Sequence, residues 1–266
     1  MKIAITGSHG FIGSNLVKRL TDIGDEVVPI SHEYFEDNEL LSKLLTPDTD
    51  YIFHLAAYGN KYDQENENRM IYSNINVLNR LIQLAKHIPY NGFINFSSSS
   101  VMLPYETMYS ATKGAGERIV KALVNKHGKP IVNVRPFTVI GKGDNPDHLV
   151  SKLVNSCITE DQMLFVGAPV HDYISVDDFI DAVLLVAENA EKLKGQTIDI
   201  GTGVQTTNEE VFNIVRRVMN KIPRVNRVDT MRPYDTFKWV ANPEVIQSLG
   251  WKQKQSIEDV VRSLIS

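Results

Sequence analysis

The sequence lacks several features that define other classes of protein. Cys157 is the only cysteine among 266 residues, so no disulfide can form within the chain, and the composition fits a reducing compartment. No run of about 18 apolar residues is present, which argues against a membrane span. The first residues also lack a basic segment that leads into an apolar one, so we expect a cytoplasmic protein without a secretory leader.

An excess of basic residues is missing as well. Lys and Arg together number 28 and Asp and Glu 32, which gives a formal net charge of −4. Proteins that neutralise phosphates along a nucleic acid carry the opposite balance, so we expect no nucleic-acid partner. The Cys and His residues do not cluster with the spacing of metal ligands, and we expect no metal site.

Short apolar runs alternate with segments of helical periodicity along most of the chain. The strand-like runs are residues 2–6, 26–30, 51–55, 92–96, 131–134 and 197–200, and the helical segments include residues 13–22, 73–87, 109–127 and 177–189. Strands that alternate with helices form right-handed crossovers and a parallel sheet. We therefore predict an α/β fold built on a doubly wound parallel sheet.

The regular alternation stops at a cluster of turn-forming residues, 141–146 (GKGDNP). Beyond residue 206 the chain is more polar, with two helical segments and little strand character. We predict one domain from residues 1–142 with 173–204. A smaller, mostly helical lobe is expected from residues 143–172 with 205–266.

A glycine-rich turn, residues 6–13 (TGSHGFIG), joins the first strand to the first helix. Its glycines permit positive φ angles and close backbone approach, and the amides of a helix N-terminus can donate to a pyrophosphate. Packing alone could also require small residues, but strand, helix and position agree, so we predict a dinucleotide site of the Rossmann type. The predicted cofactor contacts in the turn are Gly7, His9, Gly10, Phe11, Ile12 and Gly13. His9 faces either the pyrophosphate or solvent.

Tyr109 and Lys113 stand four residues apart on a predicted helix, so both can point into one cleft. Lowering the pKa of a tyrosine from about 10 to about 7 requires roughly 4 kcal/mol of phenolate stabilisation. A nearby ammonium and an oxidised nicotinamide, both positively charged, can stabilise the phenolate. Tyr109 can then exchange a proton with a carbinol oxygen while hydride moves at the same carbon. The alternative is an amphipathic helix with a half-buried Tyr and a Lys that extends to solvent.

The G-x-x-G-x-x-G spacing resembles the extended branch of the short-chain dehydrogenase/reductase superfamily that acts on nucleotide sugars. Further similar segments follow in order over nearly the whole chain. They are residues 50–57 (DYIFHLAA), 76–77 (NV), 96–99 (FSSS), 109–113 (YSATK), 134–137 (VRPF), 171–178 (HDYISVDD) and 232–235 (RPYD). The resemblance implies that the smaller lobe binds substrate and that the helices starting near residues 73 and 109 form a homodimer.

The resemblance also implies cofactor contacts beyond the glycine turn. Lys113 is expected to hold the nicotinamide ribose, and Pro136 to lie beside the nicotinamide. The segment that lies along the cofactor contributes Leu55, Ala56 and Ala57.

Four consecutive serines, residues 97–100, are candidates for the third catalytic residue, and the F-S-S-S pattern of the family is used to choose among them. The pattern selects Ser99, whose hydroxyl would hydrogen-bond the substrate oxygen. Strand alternation places Ser98 and Ser100 on the other side from Ser97 and Ser99. We expect Ser100 to line the substrate pocket, and Ser97 and Ser98 to be small packing residues.

Two departures from the family pattern narrow the reaction. Ten positions separate Ser99 from Tyr109, and this shortened loop resembles deoxysugar 4-ketoreductases such as paratose and abequose synthases. Tyr58, in the similar segment 57–60 (AYGN), is then a substrate-binding candidate. Sugar dehydratases carry an Asp-Glu pair where this chain has Ser100 and Val101, so dehydration is not expected unless Glu106 supplies an acid.

The end of the second strand bears on the choice of cofactor. Enzymes that prefer NAD place a carboxylate near this point to hold the ribose hydroxyls, whereas Ile30 is followed here by Ser31 and His32. We therefore predict NADPH, with NAD possible, and phosphate contacts from Ser31 and His32. His32 could equally be a solvated loop residue.

The resemblance assigns two further substrate contacts. The planar guanidinium of Arg232 has the right shape to donate two hydrogen bonds to phosphate oxygens. It could instead form a surface ion pair with Asp235. Thr138 stands where several relatives have an Asn that touches the diphosphate. The sequence thus predicts reduction of the 4-keto group of a nucleotide-diphosphate 4-keto-6-deoxyhexose. The alternatives are an NAD-dependent nucleotide-sugar 4-epimerase and a non-catalytic dinucleotide sensor.

Overall fold

A computed structural model describes residues 1–61 and 63–265. In chain order the strands are β1 (Lys2–Thr6), β2 (Glu26–Ile30), β3 (Tyr51–His54), β4 (Gly92–Phe96), β5 (Ile131–Pro136), β6 (Thr138–Ile140), β7 (Met163–Phe165), β8 (Val170–His171), β9 (Tyr173–Ser175), β10 (Thr197–Ile200), β11 (Thr206–Thr207) and β12 (Val225–Arg227). The α-helices are α1 (Phe11–Asp22), α2 (Asn38–Leu44), α3 (Glu67–Ile71), α4 (Val77–Ala85), α5 (Met108–His127), α6 (Leu149–Thr159), α7 (Val176–Glu188), α8 (Ala190–Leu193), α9 (Asn208–Met219), α10 (Glu244–Ser248) and α11 (Ile257–Leu264).

Six strands form the central sheet, in the order β10-β5-β4-β3-β1-β2. The pairs from β2 across to β5 are all parallel. Helices follow the strands along the chain, as crossover connections between parallel strands require. The predicted fold class, a doubly wound parallel sheet, is confirmed.

The first compact unit comprises Met1–Met102, Glu106–Arg135 and Ala182–Ile198. Strand β4 is buried along its whole length, as expected for a strand covered by helices on both faces. The hydrophobic core of this unit includes Ile52, Leu81, Phe93 and Val120, each at most 1% exposed. Burying a side chain of this size contributes about 1.5–3 kcal/mol to folding, so these contacts fix the strands whose ends carry the candidate site.

The second compact unit comprises Leu103–Tyr105, Pro136–Asp181 and Asp199–Ser266. Helices α6, α9 and α11 enclose a separate apolar core that includes Leu153, Phe165, Val211 and Val261. Three two-stranded sheets pair β6 with β9, β7 with β12 and β8 with β11.

The bounds of these units differ from the expected division at residues 142, 173 and 204. Strand β6 pairs in parallel with β9 rather than with the six-stranded sheet, so both strands belong to the second unit. In the described part of the chain beyond residue 206, three helices and strand β12 are present, where two helices were expected. Among the described residues, no helix is long and apolar enough to cross a membrane.

Candidate active site

The glycine turn closes tightly against its neighbours. Gly7 has φ +70°, and a Cβ at this position would lie 2.8 Å from the amide nitrogen of Ala56. A Cβ at Gly13 would lie 2.1 Å from the carbonyl oxygen of Gly7. Both positions therefore require glycine.

Helix α1 begins immediately after this turn, at Phe11, with Gly10 as its N-cap. Gly10 has no side chain to accept from the first-turn amides, and the first turn contains no acidic residue. The positive end of the helix dipole is thus left for an external anion. A backbone cradle without Cβ atoms, at a helix N-terminus, fits the pyrophosphate of a dinucleotide.

The Thr6 hydroxyl connects the turn to the end of β3. It accepts a hydrogen bond from the Ala56 amide at 3.1 Å and lies 2.8 Å from Nδ1 of His54. His54 is 1% exposed, and burial lowers the pKa of its imidazole to about 3, with a smaller effect from the Lys113 ammonium. His54 is therefore neutral and structural. This link holds Leu55, Ala56 and the half-buried turn at Gly7 in place.

His9 is exposed, and its Nδ1 lies 3.2 Å from the Ser8 hydroxyl.

The carboxylate of Glu33 lies three residues after the end of β2 and directly follows His32, one of the two predicted phosphate contacts. The Ser31 hydroxyl donates to Glu33 at 3.0 Å, and both Glu33 and His32 are exposed on a 3-10 turn, His32–Glu36. A negative charge beside Ser31 repels a 2′-phosphate and can accept from ribose hydroxyls. The preference for NADPH stays a prediction, and Glu33 argues against it.

Tyr109 and Lys113 occupy the first turns of α5, which starts with a capping box between Thr107 and Ser110. Lys113 is only 6% exposed, so the alternative of a lysine that extends to solvent is wrong. Burial lowers the pKa of Lys113 to about 8, and the Glu117 carboxylate opposes that effect.

The pKa of Tyr109 is raised to about 12 by burial, against the effect of a side-chain hydrogen bond with Ser98. In the chain alone, burial therefore outweighs the stabilisation of a phenolate. The expected lowering toward 7 is not a property of these residues by themselves. Tyr109 is a neutral phenol at pH 7, the form that can donate a proton.

The four serines make different contacts, and the role expected for Ser99 at the substrate oxygen stays a prediction. Hydrogen bonding with the Ser98 side chain acts to lower the pKa of Tyr109, and the Ser98 Oγ lies 2.8 Å from that of Ser100. Ser97 donates to Glu117 at 2.6 Å. Ser99 is 3% exposed and begins a 3-10 turn, because the chain leaves the strand conformation after β4. The interpretation of Ser97 and Ser98 as packing residues is corrected.

Tyr58 is held by Asn74, for which the sequence analysis predicted no role. Asn74 accepts from the Tyr58 amide at 3.0 Å and donates to its carbonyl at 2.9 Å. Arg69 stacks over the Tyr58 ring, with its Cζ 4.5 Å from the centroid. Asn74 lies in a π-helical turn, Tyr72–Asn76, between α3 and α4, and such turns are frequent at functional sites.

Three predicted contacts, Pro136, Thr138 and Arg232, belong to the second unit. Pro136 ends β5 and is half-buried. Oγ1 of Thr138 lies 3.2 Å from Nδ1 of His171. Burial, with the nearby Arg232, lowers the pKa of His171 to about 4.

Arg232 donates to Asp235 from Nη2 at 2.8 Å and stacks on Tyr234. The ion pair considered in the sequence is thus present, and it leaves the role of Arg232 in substrate binding as a prediction.

Comparison with known proteins decides the family. Residues 3–201 match the NAD dependent epimerase/dehydratase family. The chain belongs to this family. The resemblance to extended short-chain dehydrogenase/reductases is therefore confirmed.

Individual family members share modest identity with the chain. CDP-abequose synthase from Salmonella typhimurium is 25% identical, over 98% of this chain and 98% of its own length. GDP-6-deoxy-D-talose 4-dehydrogenase from Aggregatibacter actinomycetemcomitans is 28% identical, over 81% of this chain and 79% of its own length. A solved structure of UDP-glucuronic acid 4-epimerase from Bacillus cereus, in complex with UDP-glucuronic acid and NAD, is 25% identical with a TM-score of 0.86, over 99% of this chain and 97% of that one.

In this epimerase/dehydratase family member, the first unit thus gathers a cradle for a dinucleotide, a neutral phenol and a buried ammonium. The glycine turn fits the pyrophosphate, and Lys113 offers three donors to hydroxyl groups. Tyr109, with Ser98 beside it, can move a proton to or from an oxygen. This set suits reversible oxidation of a carbinol to a carbonyl.

Proposed function

We propose that the protein is a nucleotide-sugar 4-ketoreductase. The substrate is a nucleotide-diphosphate 4-keto-6-deoxyhexose, and the product is the corresponding 4-hydroxy sugar. Bound NADH or NADPH supplies the hydride that reduces the carbonyl carbon. The names of two relatives, a CDP-abequose synthase and a GDP-6-deoxy-D-talose 4-dehydrogenase, support chemistry on deoxysugars.

The observation that carries this proposal is the placement of Tyr109 four residues before the buried Lys113 on α5. Reduction of a ketone leaves an oxyanion that must receive a proton. Burial raises the pKa of Tyr109 to about 12, so the phenol holds its proton at neutral pH. The Lys113 ammonium and the bound cofactor are proposed to lower that pKa, so that the proton can be given up. Lys113 is proposed to hold the nicotinamide ribose and to stabilise the phenolate that remains after proton transfer.

The hydroxyl that positions the substrate oxygen is proposed to be Ser98 or Ser99. The effect of Ser98 on the pKa of Tyr109 favours Ser98, whereas the family pattern favours Ser99. Ser100, bonded to Ser98, and Tyr58 are proposed to line the sugar site. Replacing each of Ser98 and Ser99 by Ala and comparing kcat separates the two.

The substrate's diphosphate is proposed to bind the second unit. Arg232 is the main contact, since its planar guanidinium matches phosphate oxygens. Thr138, which lies against His171, is the secondary one. Homodimer formation stays a prediction by analogy with the family.

A panel assay tests the proposal. The purified protein is mixed with NADPH or NADH and with dTDP-, UDP-, CDP- or GDP-linked 4-keto-6-deoxyhexoses, and nicotinamide absorbance is followed. We expect stoichiometric oxidation with one nucleotide sugar, which also identifies the cofactor. Absence of oxidation across the panel with either cofactor would overturn the proposal.

A second candidate is an NAD-dependent nucleotide-sugar 4-epimerase. It is favoured by the fold shared with the Bacillus cereus UDP-glucuronic acid 4-epimerase. An epimerase returns its hydride to the same carbon and shows no net cofactor oxidation. Release of NAD on denaturing the purified protein, together with interconversion of 4-epimers, would identify this activity.

A further inference from the structure

A buried charged network lies behind Lys113. Glu117, one helical turn beyond Lys113 on α5, is 9% exposed. Arg135, near the end of β5, donates to both of its carboxylate oxygens at 2.7 Å. Ser97, just after β4, donates to Oε1 at 2.6 Å. One carboxylate thereby joins three elements.

Two of these elements carry the proposed chemistry. Helix α5 presents Tyr109 and Lys113, and the chain after β4 presents Ser98, which contacts Tyr109. The bidentate Arg–carboxylate geometry fixes both distance and orientation. A shift of α5 relative to β4 would break hydrogen bonds of this network.

The network also places charge near Lys113. Residues four apart share a helix face, so the Glu117 carboxylate is directed to the same side of α5 as the Lys113 ammonium. Among the described residues, His54 on β3 also interacts electrostatically with Lys113. Tyr109 stands one turn before Lys113 on α5, and Arg135 of β5 binds Glu117. His54 is neutral and Tyr109 is protonated, so Glu117 is the anion among these groups.

We infer that Glu117, held by Arg135 and Ser97, is a positioning residue that keeps Lys113 protonated and in register with Tyr109. Burial opposes the charged form of an amine, and Glu117 counteracts that effect in this chain. The assignment rests on the proposed role of Lys113 in the reductase.

The inference is tested by titrating Lys113 itself, by NMR of its ¹³Cε and ¹⁵Nζ nuclei, in the wild-type chain and in variants. Glu117→Gln keeps a hydrogen-bond acceptor for Ser97 but removes the negative charge. The positive charge of Arg135 remains. We expect the pKa of Lys113 to fall by about 1 or more, the effect of losing a nearby opposite charge. This measurement needs no substrate, so its outcome is independent of the proposed function.

Two further variants make the test decisive. Glu117→Gln combined with Arg135→Met removes both charges, and we expect a Lys113 pKa between those of the wild type and the single variant. The double variant also provides the test if the single variant does not fold. Ser97→Ala removes a hydrogen bond and keeps both charges, so the Lys113 pKa should stay at the wild-type value.

Activity provides the second readout. The alkaline limb of kcat/KM should move to lower pH in Glu117→Gln and partly return in the double variant. A purely structural role would lower kcat at every pH and leave the limb in place. An unchanged Lys113 pKa in every folded Glu117 variant would overturn the inference. A shifted Lys113 pKa in a protein that fails to reduce the keto sugars would overturn only the proposed reaction.

Discussion

The Asn74 side chain donates to the Thr112 hydroxyl at 2.9 Å, and both residues are buried. Thr112 in turn donates to the carbonyl of Tyr109 at 2.9 Å. Because Asn74 also holds both backbone polar groups of Tyr58, it joins the proposed sugar-binding loop to the helix that carries the proton donor.

Replacing Asn74 by Ala should lower the free energy of unfolding by about 2–3 kcal/mol, since buried partners lose their hydrogen bonds. KM for the sugar should rise because Tyr58 is no longer held. Denaturant unfolding and steady-state kinetics provide the measurements. Asn76→Ala, at an exposed position of the same π-helical turn, is the matched control. Equal effects of the two substitutions would contradict this role for Asn74.

Tyr109→Phe removes the proton donor and keeps the aromatic ring. We expect turnover to fall by about 10²- to 10⁴-fold, the usual contribution of a positioned acid. Cofactor affinity, measured by nicotinamide fluorescence, should stay nearly unchanged. A variant that retains wild-type turnover would show that Tyr109 is not the donor.

Glu33 is expected to influence the choice between NADH and NADPH. Glu33→Gln removes a negative charge beside Ser31, so the ratio of kcat/KM for NADPH to that for NADH should rise by about fivefold, equivalent to about 1 kcal/mol at an exposed site. Glu39→Gln, exposed on α2 and paired with Lys43, is the control. A ratio that responds equally to both changes, or to neither, would remove Glu33 from cofactor selection.

Because His54 is buried in its neutral form, we expect the folded protein to lose stability in acid. The pKa of His54 is about 3 in the folded chain and about 6.5 when unfolded, so the unfolded state binds the extra proton between these values. Stability present above pH 6.5 is therefore lost as the pH falls toward 3, by up to about 5 kcal/mol.

Urea unfolding at several pH values measures this loss. His54→Asn should flatten the dependence between pH 6.5 and pH 4, whereas substitution of the exposed His87 should not. Parallel pH profiles for wild type and His54→Asn would contradict the assignment.

The sheet could be predicted from sequence because its strands are short, rich in apolar residues and separated by segments with strong helical periodicity. Strand β4 and helix α5 appear within a residue of their expected bounds. The glycine turn was equally clear, since Gly7 and Gly13 are required by backbone contacts that only glycine permits.

Contacts between side chains that are distant in sequence could not be predicted from the pattern of residues along the chain. The link between Thr6 and His54 depends on the register of β1 against β3. The contact of Ser98 with Tyr109 depends on where the chain leaves the strand and enters a 3-10 turn. Glu117 could have been found, because it repeats the four-residue spacing from Tyr109 to Lys113, but its partner Arg135 could not.

Transfer of deuterium from the cofactor tests the central claim most directly. The protein is incubated with [4-²H]NADH or [4-²H]NADPH, prepared with the label on each face, and with the keto sugar identified by the panel assay. The account predicts one cofactor oxidised per sugar and deuterium at C-4 of a 4-hydroxy product for one of the two labels. Interconversion of 4-epimers with no net oxidation of the cofactor, and no deuterium at C-4, would contradict it.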